Sequence, residues 1–305
     1  MRPVRAAWYP PLVSASPGRA CPACGGPERS WASKNKHQLT RCRNCGTVVA
    51  RREDDAAPSS ADYESYHAEA TFAPAASTQG SLDALVSDAC RYRHQGRWLD
   101  FGYGEGSLLQ AAQRCGWECA GVEVSPHALA FGRSRGWTVF DPAEALGRLP
   151  PGAFDVVTLV EVIEHLPEPA RALSCAVGWL RPGGLLFLTT PNADSLNRRV
   201  LGPRWSVVCP PEHLTIWSAR GLRVVLRRLG LARLRVRTHG LNPVEILASV
   251  RWATDRPVHR QQAAEALSGA FGRTATRRLF KKVANGTLSL LGIGDTIKVW
   301  CERPT

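Results

Sequence analysis

Residues 97–126 read RWLDFGYGEGSLLQAAQRCGWECAGVEVSP, and the order of residue types in this stretch decides the fold. RWLDFG is a short strand, SLLQAAQRC a helix and ECAGVEV a second strand. Between the first strand and the helix stand Asp100, Gly102, Gly104 and Gly106, a turn whose glycines let the backbone approach a ligand beside a helix start. A nicotinamide fingerprint has the form G-x-G-x-x-G. Here the third glycine comes one residue early and Ser107 fills its place. Glu123 ends the second strand one βα unit later, where a carboxylate accepts both hydroxyls of a ribose.

The alternation extends outward. Leu82, Leu85, Val86, Ala89 and Tyr92 recur at helical spacing before this stretch. After it come a helix in SPHALAFGRSRG, capped by Ser125 with Pro126 at its first position and Gly136 at its end, and then the strands WTVF and FDVVTLV. A helix over Arg171 to Leu180, stopped by RPGG, leads into the strand LLFLTTP. Strands alternating with helices imply an α/β doubly wound, Rossmann-like sheet with ligands at the carboxyl ends of its strands. The segment from TTPN to His213, with Trp205 and Trp217 near by, reads as a substrate-facing loop. Beyond it, SARGLRVVLRRLG is a helix capped by Ser218, and ARLRVRTHG and DTIKVWCERP are strands.

The motifs LDFGYGEG, GVEVSP, FDVVTLVEVIEHLPEP, LRPGGLLFLTTPN and EHLTIWS stand in the order and spacing of the class I S-adenosylmethionine-dependent methyltransferases, and residues 80–235 resemble that family. The resemblance implies a seven-stranded sheet closed by an antiparallel hairpin, and S-adenosylmethionine as cofactor. It places Asp100, Gly102 and Gly104 along the methionine part of the cofactor, Glu123 on the ribose and Val124 on the adenine. It also sets Asp141 near the adenine amino group, although FDPAEAL departs from the family's turn by a proline.

TLVEVIEHLPEP, residues 158–169, sets Glu161, Glu164 and His165 at i, i+3 and i+4, on one face of an expected helical turn. Methyl transfer to a hydroxyl requires an aligned and deprotonated nucleophile. His165, with His213 and Glu164, can supply the base. Alternatively Glu161, Glu164, His165 and His213 hold a divalent ion, Mg, Mn or Zn, that lowers the hydroxyl's pKa. EVIEH, TTPN and the later histidine resemble the ubiquinone-pathway O-methyltransferases and the small-RNA terminal 2′-O-methyltransferases, in which the matching positions ligate a metal. The plain alternative is that Glu164 and His165 brace the loop and Glu161 meets the cofactor's methionine end.

CPACGG and CRNCG place Cys21, Cys24, Cys42 and Cys45 in the pattern C-x2-C-x17-C-x2-C, the spacing of a zinc ribbon. Four thiolates leave no open coordination position, so the ion's role is structural. Gly25 and Gly46 follow the pairs where the knuckles turn. Cys90, Cys115, Cys119, Cys175, Cys209 and Cys301 read as buried packing residues.

The expected organisation is a ribbon over 1–55, a linker over 56–80, a methyltransferase core over 81–240, and a helical insertion with a closing strand over 241–305. Tyr63, Tyr66 and Phe72 of the linker either pack plainly onto the next domain or cover the site entrance, and Arg251 or Arg260 of the insertion is a candidate to meet an anionic substrate. Charge is uneven: residues 1–60 hold 10 Lys and Arg against 4 acids, 61–190 hold 9 against 15, and 191–305 hold 20 against 7. Basic flanks favour an anionic partner, or simply decorate a solvated surface. No stretch has the length of a signal peptide core or a membrane span, which points to the cytoplasm.

The reading is an O-methyltransferase of a small-molecule, anionic acceptor in a glycan, quinone or secondary-metabolite pathway. RNA methylation is the first alternative. Against it, the basic residues lack interleaved aromatic platforms and TTPN is not an N-P-P-[YF] tetrapeptide. C-methylation of a sugar nucleotide and a binding module without turnover also remain open.

Overall fold

The computed structural model describes residues 20–52, 76–241, 283 and 286–305. Tyr63, Tyr66, Phe72, Arg251 and Arg260, with most of the expected linker and of the expected helical insertion, lie outside the described residues. Three strands come first: β1 (Glu28–Lys34), β2 (His37–Cys42) and β3 (Val48–Arg52). Then follow α1 (Ala76–Ala89), β4 (Arg97–Phe101), α2 (Ser107–Arg114), β5 (Glu118–Val122), α3 (Pro126–Ser134), β6 (Thr138–Phe140), α4 (Pro142–Arg148), β7 (Phe154–Val160), α5 (Pro169–Trp179) and β8 (Leu180–Pro191). After these come α6 (Leu196–Leu201), the short β9 (Thr215–Ile216), α7 (Ala219–Arg228), β10 (Ala232–His239) and β11 (Thr296–Glu302).

Seven strands form one mixed sheet in the order β10-β11-β8-β7-β4-β5-β6. Strands β4 to β8 of this sheet run parallel, while β11 lies antiparallel to both β8 and β10. Chain order reverses between β4 and β7, and the crevice beyond their carboxyl ends is where such sheets place a ligand. The glycine turn follows β4 and the Glu161 to His165 stretch follows β7, so topology alone brings both to that crevice.

Both sheet faces are covered. On one face α5, through Leu173, Ala176 and Trp179, and α7, through Leu222, Val225 and Leu226, pack on Leu99, Val157, Leu159, Leu186 and Leu188. On the other, Val86 and Ala89 of α1 and Ala111 and Ala112 of α2 pack on Trp98, Val156 and Phe187. Each fully buried large apolar side chain here contributes about 1.5–3 kcal/mol, and every residue of β7 from Phe154 to Leu159 is buried. The one acid among them, Asp155, accepts the main-chain N–H groups of His94, Gln95, Gly96 and Arg97 and pairs with Arg181. Burial works against its charge, but Arg181 and those amides hold its pKa below the usual value. Asp155 thereby pins the start of β4 to β7.

Several local expectations change. α1 begins at Ala76, before the boundary at 81, because its first turn carries no apolar periodicity that marks it. α5 ends at Trp179, next to RPGG as expected, but RPGG itself lies within β8, where its pairing with β7 is irregular. Cys90 and Cys115 are exposed, while Cys175 and Cys301 are buried as expected and Cys119 and Cys209 are half-buried. Trp205 and Val208 do not line an open loop: they are buried against Leu39 and Val48 of the cysteine-bearing sheet and Ile216.

That small sheet has the order β1-β2-β3-β9, so its last strand comes from the chain beyond β8. Val48 pairs with Ile216 and Val49 with Thr215, antiparallel. Cys21, Ala23, Cys42 and Cys45 share an apolar cluster with Trp217, Leu222 and Val225. No helix among the described residues is long and apolar enough to cross a membrane.

Candidate active site

Gly102 has φ 75°, in the left-handed region, and a Cβ there would stand 2.5 Å from Val162 Cγ2. Only glycine lets the turn after β4 lie this close to the turn after β7. Gly104 has φ 53°, and nothing lies within 4 Å of where its Cβ would point. It leaves an open cradle at the crevice. Glu123, 4% exposed, forms the adjoining wall: its Oε2 accepts from Gly104 N at 2.9 Å, and its Oε1 from Val124 N at 2.7 Å and Ser125 N at 3.1 Å. Val124 is 48% exposed, an apolar side chain presented beside that carboxylate.

Asp100 is buried beneath the turn and accepts from Thr158 Oγ1 at 2.7 Å. Burial, opposed by that hydroxyl and reinforced by the charge of Glu123, pushes its pKa up to about 7. Asp141 caps α4. Its Oδ1 accepts from Ala143 N and Glu144 N, and Glu144 Oε2 accepts from Asp141 N in return. Pro142 occupies the first helical position, which explains the proline that sets this turn apart. An open glycine cradle, a buried hydrogen-bonding acid and an exposed apolar face fit S-adenosylmethionine, whose ribose, methionine tail and adenine need those three things.

After β7 the chain makes the expected turn, with His165 N donating to Val162 O at 3.0 Å, but Glu161 takes φ 53° and stands outside helical geometry. Glu161 N donates to Thr189 O at 3.1 Å, and Thr189 Oγ1 donates to Glu161 Oε1 at 2.7 Å. Solvent reaches Glu161, yet burial by the surrounding protein raises its carboxyl pKa. Glu164 is fully buried. Its Oε2 accepts from Thr190 Oγ1 at 2.9 Å, while its Oε1 has no hydrogen-bond partner. Burial first, and then the neighbouring charge of Glu161, raise its pKa well above the usual carboxylate value.

His165 Nδ1 donates to Glu212 O at 2.8 Å and His213 Nδ1 to Val207 O at 2.7 Å. A ring nitrogen facing a carbonyl carries the proton, so in the neutral rings Nε2 is the basic nitrogen of both. The rings pack edge to face with centroids 4.7 Å apart, and His165 Nε2 lies 4.0 Å from Glu164 Oε1. Burial lowers the pKa of His213. One candidate ligand atom from each of Glu164, His165 and His213 falls within 4.8 Å of the others, and Glu161 stands outside this group. Three of the four residues expected around a divalent ion thus converge.

At the N-terminal end the four thiols likewise lie within 4.8 Å of one another. Cys21 Sγ is 3.6 Å from Cys45 Sγ, and Cys24 Sγ is 3.4 Å from Cys42 Sγ. Sulfurs bonded to a tetrahedral zinc at 2.3 Å stand about 3.8 Å apart, whereas a disulfide would bring them to about 2 Å. The cluster therefore fits zinc and not a pair of disulfides. Gly25 and Gly46 take the positive φ expected after each pair.

Thr158, Thr189 and Thr190, which hold Asp100, Glu161 and Glu164, escape a search for ionisable groups, although TTPN contains two of them. The carbonyls of Val207 and Glu212 that fix both histidine tautomers have no signature in sequence at all.

Residues 75–236 match the family model described as a methyltransferase domain. Curated relatives include the ubiquinone biosynthesis O-methyltransferase of Methylococcus capsulatus, 37% identical over 101 residues that make up 31% of this chain and 43% of that protein. The enzyme of the same description from Burkholderia pseudomallei is 31% identical over 160 residues, 49% of this chain and 66% of that one. The chain spans less than two thirds of the length of either relative. A solved S-adenosylmethionine-dependent methyltransferase from Archaeoglobus fulgidus superposes with a TM-score of 0.48 and 19% identity, over 73% of this chain and 94% of that chain. With the family model covering more than half of its residues, the chain belongs to the S-adenosylmethionine-dependent methyltransferase domains.

Proposed function

We propose that this protein methylates a hydroxyl oxygen of a small-molecule acceptor, with S-adenosylmethionine held by Gly102, Gly104, Glu123 and Val124 and with Asp100, Glu161 and Asp141 around it. The observation that carries the reading is the convergence of His213 with Glu164 and His165, which belong to the turn whose Val162 stands against Gly102. When bound, the donor supplies an electrophilic methyl group on a sulfonium, and the acceptor oxygen bonds to that carbon as the carbon–sulfur bond breaks. His165 and His213 present basic Nε2 atoms, and either one takes the hydroxyl proton as the new bond forms. Glu164 Oε1, 4.0 Å from His165 Nε2, would stabilise the resulting imidazolium once Glu164 ionises, and the imidazolium's charge favours that ionisation.

The same three residues would hold a divalent ion, with Mn or Zn suiting two imidazoles and a carboxylate better than Mg. Such an ion would lower the pKa of a hydroxyl bound to it. Cys21, Cys24, Cys42 and Cys45 would hold a separate structural zinc. The relatives' printed names, O-methyltransferases of ubiquinone biosynthesis, support an oxygen acceptor. Incubation with methyl-labelled donor and a panel of phenols and sugar hydroxyls tests the reading, with and without added Mn or Mg. Label transfer to an oxygen that falls at least about 100-fold in His213→Ala supports it. Transfer to nitrogen, or full activity in the His165→Ala/His213→Ala double variant, overturns it.

A further inference from the structure

We infer that the cysteine ribbon is a clamp that sets the position of His213, so that Asn35, Thr47 and Ala50 are positioning residues for methyl transfer. This inference rests on the role proposed above for His213. The chain from Pro203 to Ser218, which carries His213, is gripped by the ribbon at both ends. At one end the β1–β2 turn holds two main-chain carbonyls: Lys34 Nζ donates to Pro203 O at 3.0 Å and Asn35 Nδ2 to Pro210 O at 2.8 Å. At the other, Ala50 N donates to Leu214 O at 2.8 Å, and β3 pairs with β9. Ser218 Oγ then donates to Cys45 O at 2.6 Å and lies 3.2 Å from Thr47 Oγ1, which itself accepts from Cys45 Sγ. One zinc-ligand residue is therefore tied to the residue that ends the His213 segment.

The opposite edge of the segment meets the catalytic turn. Leu214 N and Thr215 N both donate to Glu164 O, at 2.8 and 3.0 Å. Trp217 Nε1 donates to Ile163 O at 3.3 Å. Residues 214–217 are thus held between the ribbon on one side and the Ile163–Glu164 backbone on the other. Between the two grips, His213 hangs by Nδ1 from Val207 O, next to Val208, which is buried against Leu39 and Val48 of the ribbon. A ribbon serving folding alone would need only its shared apolar cluster. Polar bonds to Pro203, Pro210, Leu214 and Ser218 fix a register as well, and a displacement of about 1 Å in a reacting group costs orders of magnitude in rate.

Three forms test this: the zinc-loaded wild type, the zinc-stripped chain, and N35G, in which glycine keeps the left-handed φ of 50° at that position but loses the amide. Each is measured by amide hydrogen exchange and by calorimetric titration with S-adenosylhomocysteine, and N35G is checked for one zinc per chain. In both altered forms exchange across residues 205–217 is expected to rise about tenfold or more, while exchange across 97–125 and the product's Kd stay within about twofold. Turnover of an acceptor found in the panel should fall about five- to tenfold in kcat for N35G, with KM for the donor unchanged. Unchanged exchange across 205–217, or a rise shared equally by 97–125, overturns the clamp. Failure of the wild type to bind the product counts against the proposed function instead, and leaves the exchange pattern to decide the clamp.

Discussion

Asp100 is an acid whose pKa is higher in the fold, at about 7, than the 3.8 of the free side chain. Its contribution to stability is therefore complete below about pH 4 and is lost as pH rises through about 7. Asp100→Asn keeps an acceptor for Thr158 and cannot ionise. Thermal unfolding at pH 8 should show this variant more stable than wild type by about 1–3 kcal/mol, with the difference gone at pH 4. Equal stability of the two proteins at both values would contradict the burial argument. Gly102 gives the opposite sign. Gly102→Ala adds a left-handed alanine and a clash with Val162, and should cost about 2–4 kcal/mol in urea unfolding. Trimming the obstacle in Gly102→Ala/Val162→Ala should recover part of that, because the two residues share one contact.

Elements carry the next set of consequences. α7 begins at Ser218, whose Oγ accepts from Gly221 N at 2.9 Å while donating to Cys45 O. α3 begins at Ser125, whose Oγ accepts from Ala128 N, with no such second bond to the ribbon. Ser218→Ala should cost about 1–2 kcal/mol more than Ser125→Ala, since it loses a cap and a buried bond together. A smaller loss at Ser218 than at Ser125 would mean that the ribbon contact contributes nothing. Both caps are legible in sequence, as are β4, β5 and β7, because a capping serine and a run of apolar residues act locally. The turn after β7 is not. Helical spacing of Glu161, Glu164 and His165 suggests one helical turn that includes all three, but Thr189 on β8 holds Glu161 at positive φ, and that partner lies 28 residues away. Local patterning carries no record of such a bond.

For the whole molecule, the strand order places the glycine turn and the Glu164, His165 and His213 group at one crevice, and the small sheet closes over β9. The family resemblance pointed to the glycine turn and Glu123, which the fold sets side by side, whereas the joining of ribbon and core depends on pairings across more than 160 residues. Such pairings leave only their apolar alternation in the chain. Removal of zinc by a strong chelator should therefore perturb more than the ribbon, and near-ultraviolet circular dichroism should report a change from Trp205 and Trp217, both buried beside β9. An unchanged spectrum would show that ribbon and core fold apart. The central claim is that Glu123 and the glycine turn bind the methyl donor. Calorimetric titration of S-adenosylhomocysteine into wild type and Glu123→Gln tests it most directly: saturable one-to-one binding, weakened about tenfold or more in the variant, is the expected result, and either no binding to wild type or equal affinity in both proteins would contradict it.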